Sequence, residues 1–93
     1  NQMEITAIVK RVTETKTVGT NGFEVREAVV TTEEQYPQTL EIKFTQGRVN
    51  LLDGIAPGQR VKIAVNLKGR EVTKDDKLMV YNSIEGWKVE KLA

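Results

Sequence analysis

Residues 39–58, TLEIKFTQGRVNLLDGIAPG, decide the fold of this chain because the spacing of the apolar side chains changes within them. The first part alternates apolar and polar residues in the cleanest period of two in the chain, with apolar side chains at Leu40, Ile42 and Phe44. This alternation predicts a strand with one face in the core. The second part has apolar residues three apart, at Val49, Leu52 and Ile55. That spacing predicts one short helix at roughly residues 47–53, ended by Gly54 and Pro57.

Four further segments have the composition and alternation of strands, and they cover residues 5–12, 23–32, 61–68 and 78–92. The Thr- and Val-rich residues 12–18 also suit a strand, and the interrupted alternation at Ile8 and Val12 predicts a bend or bulge. We expect a bulge or bend at Gly69 and a change of register at Gly86. The predicted inward positions of the fourth strand are Val61, Ile63, Val65 and Leu67.

Three strands, a short helix and two strands follow each other in the chain, which is the order of the OB-fold. We therefore predict an all-β, five-stranded Greek-key barrel, with the helix between strands three and four closing one end. The predicted domain is a single one that covers residues 3–93. An SH3-like barrel is the main alternative, and it usually lacks a helix at this position.

The absence of two residue types excludes several classes of catalytic and metal-binding function. The chain has 93 residues, a formal net charge of +1, and neither Cys nor His. Without these residues, thiol catalysis, disulfides, zinc fingers and His-based proton transfer are excluded. We therefore expect a cytoplasmic protein that is not an enzyme, with no catalytic residue, no metal, no cofactor and no membrane partner. Asp75 and Asp76 are interpreted as turn formers rather than as cation ligands.

Several motifs resemble those of one family of small bacterial proteins. They are MEIT at residues 3–6, TEEQYP at 32–37, DGIAPGQRV at 53–61, NLKGRE at 66–71 and EGWKVE at 85–90. This OB-like family is mostly uncharacterised and is similar to single-stranded DNA-binding proteins. The resemblance spans nearly the whole chain, and it implies an OB-fold and single-stranded DNA as the partner.

An OB barrel binds oligonucleotides on the face of its second and third strands, between two loops that correspond to residues 15–22 and 69–77 in this sequence. Cations on these strands and loops would form a groove for phosphates. The candidate nucleic-acid-binding cations are Lys16, Arg26, Lys43, Lys62, Lys68, Arg70, Lys74 and Lys77. The alternative interpretation is that these side chains only solvate the sheet, with interspersed carboxylates weakening their field.

Five aromatic side chains are present, and Phe44 is assigned to the core. Tyr81 is the main candidate for base stacking, because the alternation of its strand places it on the face opposite the core. Phe23, Tyr36 and Trp87 are further stacking candidates. Phe23 suits the core and a stacking role equally, whereas Tyr36 favours pinning its loop against the barrel and Trp87 favours filling the barrel end.

These features predict a single-stranded DNA-binding protein without sequence preference, with RNA as an alternative partner, that uses a basic groove and limited aromatic stacking. The alternative is an OB-fold module for protein interaction or oligomerisation that binds no nucleic acid. We also expect a homo-oligomer, a dimer or a tetramer, because the edge of the first strand and residues 12–18 are free to pair between subunits.

Overall fold

The elements of the structure follow the apolar periodicity of the sequence closely. The computed structural model describes residues 3–92; Asn1, Gln2 and the predicted domain boundary at Ala93 lie outside the described residues. In chain order the elements are β1 (Met3–Val12), β2 (Lys16–Val18), β3 (Phe23–Thr32), β4 (Thr39–Thr45), a 3-10 helix (Gln46–Leu52), β5 (Arg60–Lys74) and β6 (Lys77–Leu92). Within residues 3–92, no helical segment has the length and hydrophobicity that a bilayer crossing requires.

The strands close into a barrel. β1 pairs antiparallel with β3 and β5, β3 pairs with β4, and β5 pairs with β6. A short parallel pairing of β4 with β6 completes the ring. This is the connectivity of the OB-fold, so the predicted fold class is confirmed. The register of β1 against β3 shifts between Val9 and Arg11, and this bulge bends β1 so that it pairs with both β3 and β5. The predicted irregularity in this strand is therefore confirmed.

Barrel closure occupies the strand edge on which the predicted oligomer depended. Residues 3–8 of β1 pair with β5, and residues 7–12 pair with β3. Residues 12–18 do not form one continuous strand. β1 ends at Val12, and Lys16–Val18 form the short strand β2, which pairs with β3 of the same chain. The first strand is paired on both sides only at Ala7 and Ile8, so the expectation of a free edge is wrong for the centre of the strand, and the oligomeric state itself stays a prediction.

The core fills the barrel, and the 3-10 helix closes one end of it. Ile42 and Phe44 are both 0% exposed, which confirms the inward face predicted for this strand. Val49 and Leu52 of the helix are 4% and 1% exposed, and Ile55 packs against the same core. The helix lies where the three-residue spacing predicts it, but it is 3-10 rather than α.

The register of the last two strands changes at Gly86, as predicted. The shift lies between Ala64 and Val65 of β5, opposite Gly86 and an extra residue, Trp87. Space requires glycine there, because a Cβ built on Gly86 would collide with the ring of Phe44. The bulge therefore brings the β6 backbone directly against the largest side chain of the core.

β5 and β6 continue beyond the barrel as a two-stranded ribbon, which we call the arm and define as residues 67–84. Its ladder has eight residue pairs, from Leu67 opposite Ile84 to Lys74 opposite Lys77. The longest dimension of the molecule is 49 Å. The arm is thus an extension that the barrel itself does not need for closure.

The arm is a regular hairpin rather than the loop predicted at residues 69–77. Pairing continues without a shift through Gly69, so the bulge predicted at that residue is wrong. Asp75 and Asp76 have φ angles of 52° and 63°, the left-handed values of a two-residue type I′ turn. Their interpretation as turn formers is confirmed.

Candidate nucleic-acid interface

The arm has two faces of different chemistry, because opposed residues of an antiparallel ladder point to the same side and that side alternates along each strand. The inner face continues the core-facing positions of the barrel and carries Leu67, Gly69, Glu71, Thr73, Leu78, Val80, Asn82 and Ile84. The outer face carries Lys68, Arg70, Val72, Lys74, Lys77, Met79, Tyr81 and Ser83. All four cations of the arm are thus on the outer face, whereas the inner face carries Leu67, Leu78, Val80 and Ile84.

Exposed cations and one aromatic ring share the outer face. The cations, all of them exposed, are Lys68, Arg70, Lys74 and Lys77. The two ion pairs found in residues 3–92 engage other cations, so these four are free to meet a ligand. The guanidinium carbon of Arg70 lies 5.9 Å from the centre of the Tyr81 ring, a cation–π distance. Tyr81 is 48% exposed, so much of its ring also faces solvent.

A groove joins the outer face of the arm to the barrel. β4 and β6 pair at only two adjacent positions and then diverge. The gap contains an open groove of about 520 Å³, lined by Lys43, Lys68, Arg70, Tyr81 and Glu85 among others. A neighbouring groove of about 600 Å³ shares Lys43 and Lys68 with it. β4, one of the two strands predicted to carry the binding face, is therefore continuous with the arm.

Acidic neighbours flank Lys43 at the base of this groove. Glu27 of β3 and Glu85 of β6 are its direct cross-strand partners and lie on the same face of the sheet. Lys43 is also partly buried. Carboxylates at these positions reduce the positive potential at the base of the groove.

Arg26 points into the end of the barrel rather than outward, because it is in register with the core residue Phe44. Its Nε donates a hydrogen bond of 2.9 Å to the carbonyl oxygen of Thr13. Its Nη1 donates to the carbonyl oxygen of Val49 at 3.2 Å and to Asp53 Oδ1 at 2.7 Å. The side chain is only 18% exposed. The predicted outward orientation of Arg26 is therefore wrong, and its visible role is to join three segments.

The other two predicted cations lie away from the arm. Lys16 is opposite Val25, near the turn between β2 and β3. Lys62 is opposite Glu90 and partly buried. Eight residues separate Lys62 from Arg70 along β5, which is roughly 26 Å at about 3.3 Å per residue. The fold thus brings four of the predicted cations together on the arm, with Lys43 at the base of the adjoining groove, and leaves Lys16, Arg26 and Lys62 away from them.

The three secondary stacking candidates do not converge with Tyr81. Phe23 is 40% exposed and lies opposite Val18, close to the turn between β2 and β3. Tyr36 is 74% exposed in the loop between β3 and β4, so the expectation that it pins this loop against the barrel is wrong. Trp87 is the extra residue of the β6 bulge and is partly buried.

Sequence reasoning missed the arm as an element. The alternation places Leu67 among the core residues, yet it is 64% exposed because β5 has already left the barrel. Val80 on β6 is 65% exposed for the same reason. One signal was present in the chain: the alternation continues on both sides of the turn residues Asp75 and Asp76, which predicts a hairpin longer than a barrel requires.

The closed strand order with a helix between β4 and β5 defines an OB-fold protein. The chain belongs to the DUF3127 family, a domain of unknown function, whose family model matches residues 4–90. None of the curated proteins matches the sequence.

The fold is similar to that of the protein PriB from Ralstonia solanacearum, of which two solved structures match. The one at 2.3 Å resolution has a TM-score of 0.72 and 14% sequence identity, with 99% of this chain and 98% of that chain covered. The one at 1.8 Å resolution has a TM-score of 0.67 and 15% identity, with 98% and 96% covered. At this level of identity the likeness shows the fold alone, and it supports the OB-like resemblance noted in the sequence.

Proposed function

We propose that this protein binds single-stranded DNA without sequence preference, on the outer face of the arm and in the adjoining groove. The observation that carries the proposal is the row of exposed cations on the outer face, with Tyr81 among them. Nonspecific single-strand binding combines a cationic track for phosphates with a ring on which a base stacks. The proposed activity is binding and not catalysis, and RNA offers the same phosphates and bases.

The position of the arm supports this assignment. OB barrels bind oligonucleotides beside the connection of their last two strands, which in this chain is the arm. With one ring among the arm cations, most of the affinity comes from phosphate contacts, because a stacked base contributes only about 1–3 kcal/mol. Binding is therefore expected to depend strongly on salt. Glu27 and Glu85 beside Lys43 further restrict the phosphate contacts to the arm.

The first test is a salt titration, with fluorescence anisotropy of a labelled oligo-dT as the measurement. Four phosphate contacts predict that affinity falls about 50-fold between about 50 and about 200 mM salt, since each contact adds about 0.7 to the slope for a single strand. Arg70→Gln removes one contact and should reduce this fall to about 20-fold. Lys10→Gln is the matched control, because Lys10 is exposed on β1 and lies toward the opposite end of the barrel from the arm.

The second test removes the ring. Tyr81→Ala should weaken binding of the same oligonucleotide by about 5- to 150-fold, which corresponds to about 1–3 kcal/mol for one stacked base. Tyr36→Ala is the control, because Tyr36 is exposed but lies outside the arm. Circular dichroism confirms that each variant is folded. The proposal is refuted by an absence of binding at low salt, or by equal losses in the two tyrosine variants.

A further inference from the structure

The inner face of the arm exposes large apolar side chains to solvent. Leu67, Leu78 and Val80 are 64%, 70% and 65% exposed. Ile84 at the base of the arm is partly buried and packs against the barrel core. The apolar surface is therefore continuous with the core, although the barrel no longer covers it.

A ribbon of this kind lacks the support that sheets normally have. A two-stranded hairpin is at best marginally stable in water, and a third strand or a packed layer usually stabilises it. Residues 67–83 of the two strands pair only within the arm, and Ile84 at its base also pairs with Ile42 of β4. The face measures roughly 26 Å by about 12 Å, or about 300 Å². Its apolar side chains lie toward its two ends, Leu67 and Ile84 at the base and Leu78 and Val80 toward the tip, and grouped exposed apolar side chains are typical of interaction sites.

We infer that the inner face of the arm packs against the inner face of the arm in a second copy of this chain, with the two arms antiparallel around a two-fold axis. The inference does not depend on the proposed function. Its first support is the order of the cross-strand pairs on this face, which are Leu67 with Ile84, Gly69 with Asn82, Glu71 with Val80, and Thr73 with Leu78. Reversing one copy over the other places Leu78 against Ile84 and Thr73 against Leu67, so apolar groups meet at both ends.

The polar residues of the face are complementary in the same arrangement. Glu71 of one copy faces Gly69 of the other, so it meets the side chain that covers this glycine. The Asn82 side chain already lies over this glycine, since a Cβ built on Gly69 would come within 2.9 Å of Asn82 Oδ1. The Asn82 amide can therefore donate a hydrogen bond to the Glu71 carboxylate of the second copy. The same reversal places the neutral Asn82 amide against Val80, whereas parallel arms would press the Glu71 carboxylate against Val80, which is the more costly of the two contacts.

The area predicts how strong this association is. Each copy contributes about 300 Å² from the arm, whereas a standard stable interface buries about 800 Å² per partner. We therefore expect a weak dimer that forms only as the protein concentration rises. Antiparallel packing of the inner faces leaves both outer faces, with their cations, directed away from the axis.

Two adjacent residues of β6 provide a matched test, because Val80 lies on the inner face and Met79 on the outer face. Sedimentation equilibrium of the full chain from about 1 µM to about 1 mM should show the dimer forming, and Val80→Lys should weaken it by at least about 30-fold. Met79→Lys introduces the same charge one residue away and should leave the association constant within about twofold. Equal effects of the two lysines, or a wild-type chain that stays monomeric, overturns the inference.

A cross-link tests the same face without disturbing its charge. The chain contains no cysteine, so a single one can be placed at will. Asn82→Cys lies close to the inferred axis and should join two copies through a short bismaleimide, whereas Met79→Cys on the outer face should not. Cross-linking of Met79→Cys alone would show that the copies meet elsewhere and would also overturn the inference.

Discussion

Replacing Arg26 with methionine tests whether this residue holds the fold together or binds a ligand. Methionine keeps much of the apolar stem and removes the guanidinium. The change deletes three hydrogen bonds, to the carbonyl oxygens of Thr13 and Val49 and to the carboxylate of Asp53. These acceptors belong to the segment after β1, to the 3-10 helix and to the residue that follows it. The variant therefore releases three segments from one anchor.

The expected loss follows from the burial of each group. The Arg26 side chain is 18% exposed, whereas that of Asp53 is 66% exposed, so solvent screens the ion pair. The bonds to the two carbonyl oxygens contribute most, because a hydrogen bond from a charged donor contributes about 1.5 kcal/mol or more. We expect Arg26→Met to lower the free energy of unfolding by about 3 kcal/mol or more. In a domain of this size that is a fall in Tm of roughly 10 °C or more.

Urea unfolding followed by circular dichroism measures this loss, and Arg60→Met is the matched control. Arg60 pairs with Glu33 at 2.8 Å, but their side chains are 47% and 36% exposed. A pair as exposed as this one contributes about 0–1 kcal/mol. The same chemical change should therefore destabilise the protein much less at residue 60 than at residue 26.

Two results would refute the structural role of Arg26. One is a loss of stability no larger than that of Arg60→Met. The other is a variant that remains as stable as the wild type but loses affinity for oligo-dT, since this would restore Arg26 to the nucleic-acid-binding set. The structural role predicts the opposite: lower stability, and unchanged affinity at a temperature where the variant is folded.

Two further changes test the barrel and the arm. Gly86→Ala should destabilise the protein by about 1–3 kcal/mol in urea unfolding, because the added Cβ would overpack Phe44 and Ile42; stability equal to the wild type would contradict that packing. Asp76→Gly should slow hydrogen exchange of the arm amides by about two- to fivefold, because Asp76 has a φ of 63° that glycine adopts without strain. Faster exchange in that variant would contradict the type I′ turn.

Local spacing was enough to predict most of the barrel. Apolar residues two apart, Ile42 and Phe44, predict a strand, and apolar residues three apart, Val49 and Leu52, predict the helix that follows. All four side chains are buried, which confirms both predictions. These features are readable because each depends on neighbours within a few residues. The turn at residues 75 and 76 was predicted for the same reason, since turn residues act through their own backbone.

The candidate site was predicted less completely, because alternation reports which residues share a face but not what covers that face. Leu67 continues the inward series of β5, and only the departure of this strand from the barrel exposes it. Arg26 lies in a strand with charged neighbours, and only the closure of the barrel end turns it toward Asp53 and two carbonyl oxygens.

Local patterns were thus enough to predict the order of strands, helix and turns and the facing of most side chains along their strands, with Arg26 as an exception. The place where the barrel ends and the arm begins depends on how the strands pair, and so does the group of cations that lies beside Tyr81. The difference comes from the distance along the chain between the residues involved. Strands and turns form through backbone geometry within a few residues. Exposure and the grouping of cations depend on pairing between distant segments, such as β4 with β6.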